Sequence, residues 1–132
     1  MGWLGISLLL DTNAVIALQQ SEASILKLLE NEQDIFIPSI VIGELYYGAY
    51  KSGRPEENRQ VVAQFAAGRR ILRCDADTGD AYGQIKYALR LKGRPIPEND
   101  IWMAALTLQY DGILVTRDVH YNEIENLRSQ QW

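Results

Sequence analysis

The sequence predicts an α/β fold in which helices cover both faces of a central parallel sheet. Short apolar runs alternate along the 132 residues with longer amphipathic segments, the order in which strands and crossover helices follow one another in such folds. The first run, residues 6–10, is almost wholly apolar. A strand of that composition is typical of a parallel sheet, because both of its faces are buried.

Strand positions follow from the apolar runs and from the residues that bound them. Pro38 is expected to end the second run, and Gly112 precedes the fourth. We expect strands over residues 6–10, 35–37, 71–73 and 113–115, with a short edge strand within residues 126–132.

Helix boundaries are predicted from capping residues and turn formers. Ser39 is a predicted N-cap, Asp75 or Asp77 caps a later helix, and Gly68 and Gly93 are predicted to end helices. The later helix carries apolar residues at helical spacing, namely Ala81, Ile85, Ala88 and Leu89. We expect helices over residues 13–31 with a break near 21, then 39–51, 56–67, 75 or 77 to 93, and 99–110.

Composition and charge fit a single domain that spans residues 1–132, with no repeat, linker or low-complexity tract. The net charge of −4 argues against a generic nucleic-acid-coating protein, which is usually basic, but allows a nuclease with an acidic metal pocket. No segment approaches the roughly 20 apolar residues that span a bilayer, and the N-terminal residues do not form a signal peptide. We therefore expect a cytoplasmic protein with no membrane contact.

Single copies of cysteine and histidine exclude several kinds of chemistry. Cys74 alone forms neither an internal disulfide nor a multi-cysteine zinc site. His120 alone excludes chemistry that needs a histidine pair, and no Gly-x-Ser-x-Gly elbow accompanies it to form a catalytic triad.

Two aspartates follow predicted strands at their carboxyl ends, where parallel sheets bind ligands. Asp11 comes directly after the first strand, and Asp118 follows the fourth. If those strands are neighbours, both carboxylates meet where the strand order reverses. Glu44 and Asp100 lie early in predicted helices that can face the same point. Taken singly, each acid has a simpler explanation as a helix cap, a solvated residue, a partner of the helix dipole or a turn former.

The four acids together predict a metal site. Four carboxylates near one sheet edge repel and raise each other's pKa values unless a divalent cation offsets the charge. Oxygen ligands without Cys or His partners suit Mg²⁺ or Mn²⁺. Such ions activate water as a nucleophile and stabilise charge on a leaving oxygen, so the combination predicts hydrolysis of phosphodiester bonds without a catalytic histidine.

Four motifs also fall in the order and approximate spacing of a known family: LLLDTN, IPSIVIGELYYGA, IPENDIWMAA and LVTRDVHYNEI. From Leu8 to Trp132 the chain resembles PIN-domain ribonucleases, in particular the VapC-type toxins of bacterial toxin–antitoxin pairs. The resemblance implies a three-layer α/β/α sandwich with a central parallel sheet and Mg²⁺- or Mn²⁺-dependent endoribonuclease activity. It also implies an RNA substrate, a homodimer, and inhibition by a small cognate antitoxin protein.

The resemblance implies roles for individual residues. The acids that match the family's catalytic metal ligands are Asp11, Glu44, Asp100 and Asp118. Asn13 and Thr116 match polar positions that orient an acid or a water near the metal. Asn99 and Arg117 lie within matching motifs, but helix capping and surface charge explain them at least as well. His120 is expected beside the ligands or in solvent.

Three other functions remain open from the sequence. A PIN nuclease of RNA maturation or decay has the same motifs, although a short stand-alone domain favours the toxin. A non-catalytic PIN-like module that binds RNA or protein is expected to lack one or more acids, and none is missing. A phosphatase of the haloacid-dehalogenase type needs a second aspartate where Asn13 stands.

Overall fold

The central feature of the fold is a parallel sheet. The structure, a computed structural model, describes residues 7–32 and 34–132. Within these residues the strands are β1 (Leu8–Leu10), β2 (Ile35–Pro38), β3 (Arg70–Leu72), β4 (Ile113–Val115) and β5 (Ser129–Gln130). They lie in the order β3-β2-β1-β4-β5, and every neighbouring pair is parallel. The predicted sheet is confirmed, with β5 at one edge; Ile6 lies outside the described residues.

Helices cover both faces of this sheet. They are α1 (Thr12–Gln19), α2 (Ala23–Leu29), α3 (Ser39–Tyr50), α4 (Pro55–Ala67), α5 (Ala76–Lys92) and α6 (Glu98–Gln109), followed by a 3₁₀ turn at Val119–Glu123. Leu8 and Leu10 pack into a core with residues of α1, α2 and α3, whereas Leu9 packs into a second core with residues of α5 and α6. Successive strand residues point to opposite faces, so one short strand supports both layers. The predicted three-layer α/β/α sandwich is confirmed.

Local signals in the sequence explain most helix boundaries. Ser21 has a positive φ of 56°, which breaks the first helical segment into α1 and α2. Asp75 caps α5 in a capping box with Thr78. Gly93 ends α5 with a left-handed φ of 67°, a conformation that glycine adopts without the steric cost of a Cβ atom.

Two local predictions were wrong. Ser39 is the first residue of α3 rather than its N-cap; Pro38 occupies that position, and no side chain caps the helix. Pro38 belongs to β2 instead of following it: it lies opposite Leu72 of β3, although β2 is paired with β1 only as far as Phe36. The predicted apolar positions of α5 share helical spacing, with Ile85 and Leu89 buried and Ala88 exposed.

The strand order reverses between β1 and β4, and this creates a crevice at their carboxyl ends. The chain leaves β1 toward β2 and β3 on one side and returns to β4 on the other, with Leu10 opposite Val115. Gly112 permits this approach: a Cβ atom there would lie 2.7 Å from Leu9 Cδ1 and 2.9 Å from the Ser7 carbonyl oxygen. None of the helices in the described ranges combines the length and apolarity needed to cross a membrane.

Candidate active site at the carboxyl edge of the sheet

Asp11 lies in the crevice where the strand order reverses, and its carboxylate both caps α1 and faces the other acids. Its Oδ1 accepts a hydrogen bond from the Ala14 backbone N–H at 2.9 Å, and its own N–H donates to the Val115 carbonyl at 3.2 Å. Only 5% of Asp11 is exposed. Burial is the largest cause that raises the pKa of this carboxyl, and the charges of Asp118 and Glu44 raise it further. Hydrogen bonds from Thr116 and from the Ala14 backbone lower it and so offset part of this shift.

Thr116 links Asp11 to Asp118. It is 2% exposed at the end of β4, and its hydroxyl donates to the Asp11 carboxylate, which lowers the pKa of that acid. The same Oγ1 accepts the Asp118 backbone N–H at 3.0 Å. Asp118 in turn accepts the His120 backbone N–H at 2.9 Å, and its Oδ1 lies 3.0 Å from His120 Nδ1. One buried hydroxyl therefore contacts both the Asp11 carboxylate and the backbone of Asp118.

Glu44 and Asp100 approach the same point from α3 and α6. Thr12, the first residue of α1, donates its hydroxyl to Glu44 Oε1 at 2.8 Å. Asp100 lies in the first turn of α6, and its pKa is raised first by burial and then by the charges of Asp118 and Glu44. Ligand atoms of Asp100, Asp118 and His120 lie within 4.8 Å of one another.

Tyr121 belongs to this cluster although the sequence analysis did not single it out. It is 3% exposed, packs against α6, and its hydroxyl lies 4.0 Å from Met103 Sδ. Burial and the charges of Asp100 and Asp11 raise the pKa of the phenol, so it stays protonated and interacts with Asp100 as a donor, which lowers the pKa of that acid. The sequence signal was weak, since a tyrosine three residues after an acid is ordinarily core packing.

The structure therefore brings together the four predicted acids and Thr116. Asn13 is exposed in the first turn of α1, and no hydrogen bond within the described ranges joins it to the acids. Asn99 is exposed as well and lines a groove beside Glu44. Arg117 is engaged elsewhere: its Nη2 donates to Glu22 Oε1 and to the Trp132 carbonyl, both at 2.9 Å, and thereby holds the C-terminal residue.

An open groove extends from the acids along α3. It has a volume of about 700 Å³ and is lined near the acids by Thr12, Glu44 and Asn99 and farther along by Gly43, Tyr47 and Lys51. The acids are thus reached from the side of Glu44 by an open groove.

The donor set fits a hard divalent cation. The charges of Asp118 and Glu44 act on both Asp11 and Asp100, so the four carboxylates lie near one another, and burial together with this repulsion disfavours the charged forms of Asp11 and Asp100. In the described part of the chain no lysine or arginine forms an ion pair with any of these acids. A cation at this position would relieve the repulsion, and Mg²⁺ or Mn²⁺ is the ion that carboxylate oxygens suit.

The raised pKa values predict an unusual pH dependence of stability without metal. Between the ordinary pKa of an aspartate and the raised native value, the folded protein binds more protons than the unfolded chain at Asp11 and Asp100. The free energy of unfolding therefore falls as pH rises through that window. Urea unfolding in EDTA should show that these two acids favour the fold more at mildly acidic than at neutral pH. The Asp100→Asn variant should lose part of this slope; an identical slope in both proteins would contradict a raised pKa of Asp100 in the folded protein.

Comparison with known proteins assigns the fold to a family. The model of the PIN domain family matches residues 8–127. Ribonuclease VapC2 of Haemophilus influenzae is 35% identical over 127 residues, which cover 94% of this chain and 96% of that protein. The chain belongs to the PIN-domain family, in its VapC branch. The tRNA(fMet)-specific endonuclease VapC of Shigella flexneri is 31% identical to this PIN domain, with the same coverage of both chains.

Solved VapC structures share the architecture of this PIN domain. VapBC2 from Rickettsia felis, bound to a DNA fragment from its promoter, superposes with a TM-score of 0.86 at 30% identity, covering 96% of this chain and 99% of that one. DNA-bound VapBC from Salmonella typhimurium gives a TM-score of 0.88 at 29% identity, covering 97% and 99%. The predicted fold and the predicted family of ribonucleases are confirmed.

Proposed function

We propose that this chain is a Mg²⁺- or Mn²⁺-dependent endoribonuclease that acts as the toxin of a toxin–antitoxin pair. The observation that carries the proposal is the convergence of Asp11, Glu44, Asp100 and Asp118 at the carboxyl edge of a VapC-type PIN fold. Burial raises the pKa values of Asp11 and Asp100, and the charges of Asp118 and Glu44 raise both further. Such a cluster costs stability without a cation, which supports a role in binding one rather than in packing.

The chain's own residues would hold the cation and position the acids. The four carboxylates would supply its ligands, and Asn13, which is exposed in the first turn of α1, would orient an acid or a water. Thr116 contacts the Asp11 carboxylate and the backbone of Asp118, while Tyr121 interacts with Asp100. A divalent cation, when bound, supplies activation of water as the nucleophile and neutralisation of charge that develops on the phosphate.

A small antitoxin protein would control this activity. The similar structures from Rickettsia felis and Salmonella typhimurium are VapBC assemblies, which supports such a partner. An Arg or Lys side chain from the antitoxin would form charge-assisted hydrogen bonds with the acids in place of a cation. Its apolar part would lie along α3 beside Tyr46 and Tyr50, whose rings stack 6.4 Å apart. The proposal includes a homodimer and a cytoplasmic location, where RNA and antitoxin are both present.

Cleavage of RNA in manganese and in EDTA tests the proposal. We expect the purified protein to cut a transfer RNA mixture that includes tRNA(fMet) at internal bonds in millimolar Mn²⁺. This RNA is the first choice because a relative 31% identical to this chain is named for it. EDTA should stop the reaction, and excess Mn²⁺ should restore it. A denaturing gel that shows equal cleavage under both conditions would contradict a metal-dependent nuclease.

Manganese should also stabilise the folded protein in the absence of RNA. At a hundredfold excess of cation over its dissociation constant, the free energy of unfolding should rise by about 2.7 kcal/mol. The corresponding increase in Tm should shrink in the Asp118→Asn variant, which has lost a ligand charge. Identical melting curves of the wild type in EDTA and in Mn²⁺ would count against a metal site at these acids.

A further inference from the structure

The groove beside the acids has a chemical character that hydrolysis alone does not require. At its end away from the acids, the Tyr47 side chain is 67% exposed, although a tyrosine on a packed helix usually buries its ring. The Lys51 Nζ lies 4.8 Å from the centroid of that ring. An aromatic face and a cation therefore stand together on the open side of α3.

Two glycines leave the α3 side of this groove without side chains. Gly43 and Gly48 both line it and both lie inside the helix, where glycine lowers helix stability relative to alanine. A Cβ atom at either position would meet nothing within 4 Å, so packing of the described residues does not require glycine there. Their absent side chains leave helix backbone open to close approach by a ligand.

Charge and continuity indicate what that ligand is. The groove is continuous with Glu44 and therefore with the acids at which the scissile phosphate would be bound. Lys51 presents a positive charge on the same groove, which suits a second phosphate of the same strand. Exposed tyrosine rings bind unpaired bases by stacking, with little preference for base identity.

We propose that this groove is a subsite for single-stranded RNA next to the scissile bond, where the Tyr47 ring stacks on a base and the Lys51 ammonium binds a phosphate. The inference rests on the proposed nuclease function and adds to it the path of the substrate strand. It also divides α3 into two surfaces, because the rings of Tyr46 and Tyr50 stack on each other and are not among the residues that line the groove. RNA would bind the surface of Tyr47 and Lys51, and the antitoxin would bind the surface of Tyr46 and Tyr50.

Binding of a short RNA to a nuclease-dead protein tests the subsite. The probe is a fluorescein-labelled, unstructured RNA of mixed sequence, and fluorescence anisotropy in Mg²⁺ gives its Kd for the Asp100→Asn parent. Adding Tyr47→Ala should weaken binding about tenfold, whereas Tyr47→Phe should preserve it because the ring remains. Adding Lys51→Ala should lower the slope of log Kd against log salt concentration by about one, as expected for one lost phosphate contact.

Matched variants separate a specific subsite from general surface effects. Tyr50→Ala removes a ring that is 62% exposed on the same helix and should change the Kd by less than about twofold. Gly43→Leu should block the groove and weaken binding, whereas Gly83→Leu, at an exposed position of α5 where a Cβ also meets nothing, should leave binding unchanged. Melting curves confirm that each variant is folded.

The outcomes distinguish this inference from the function on which it rests. Weaker binding confined to Tyr47→Ala, Lys51→Ala and Gly43→Leu supports the subsite. If the parent binds RNA and these variants bind it equally well, the subsite is overturned while the nuclease proposal stands. Equal losses of RNA affinity in Tyr47→Ala and Tyr50→Ala would also overturn the subsite. A wild-type protein that neither binds nor cuts RNA would overturn both proposals.

Discussion

Replacing Asp100 by asparagine is expected to lower the rate of RNA cleavage about a thousandfold, equivalent to ~4 kcal/mol of lost transition-state stabilisation. The amide keeps the size of the side chain but removes a ligand charge from the cluster. Because burial, and then the charges of Asp118 and Glu44, raise the pKa of Asp100, removing its charge should leave the metal-free protein as stable as the wild type or more stable. The measurements are kcat/KM on an RNA that the wild type cuts and Tm in EDTA.

The control for this experiment is the same substitution away from the site. Asp80 is exposed on α5, where it accepts a hydrogen bond from the Gln84 amide at 3.2 Å, and Asp80→Asn should retain full activity. Full activity of Asp100→Asn would contradict the assignment of this residue. A loss of activity together with a lowered Tm would mean that Asp100 supports the fold instead.

Expression of the wild-type chain alone is expected to arrest growth, and co-expression of the gene adjacent to it should restore growth. The structure supplies a physical reason: the acids adjoin an open groove, and no lysine or arginine of the described chain pairs with them. Their charges are therefore available both to a cation and to a basic side chain of a partner. Viable counts after induction measure the effect.

The Asp11→Asn variant serves as the control for toxicity. It should be harmless, because it loses a buried ligand charge while an asparagine oxygen still caps α1. If the wild type is harmless although it is folded and loaded with metal, the protein is better explained as a nuclease of RNA maturation or decay. Arrest caused equally by Asp11→Asn would mean that toxicity does not come from this site.

The sequence predicted the elements and the acids because both depend on local patterns and on one general rule. Strands buried on two faces are apolar throughout, as in β1, and their ends are marked by polar residues or by Gly and Pro. Carboxyl ends of neighbouring parallel strands meet at one edge, so an acid after β1 and another after β4 were expected to meet there. The condition was that β1 and β4 pair, and they do, with Leu10 opposite Val115.

Other features of the site depend on tertiary contacts that no local pattern reveals. Thr12 and Glu44 are 32 residues apart in sequence, yet the hydroxyl of one holds the carboxylate of the other. Arg117 stands in a motif with Asp118, but its side chain turns to Glu22 and Trp132. Tyr121 was indistinguishable from a core aromatic, because its proximity to Asp100 follows from the packing of the 3₁₀ turn against α6.

Mapping RNA 5′ ends in cells after brief induction tests most directly the claim that this chain cuts RNA at the four acids. Wild type and Asp118→Asn are induced in parallel, each with and without the adjacent gene, and the new ends are located by sequencing. We expect a small set of new ends that appear with the wild type alone. These ends should be absent with Asp118→Asn and suppressed when the adjacent gene is expressed. The same ends in the Asp118→Asn culture, or no new ends with a folded wild-type protein, would contradict RNA cleavage at these acids.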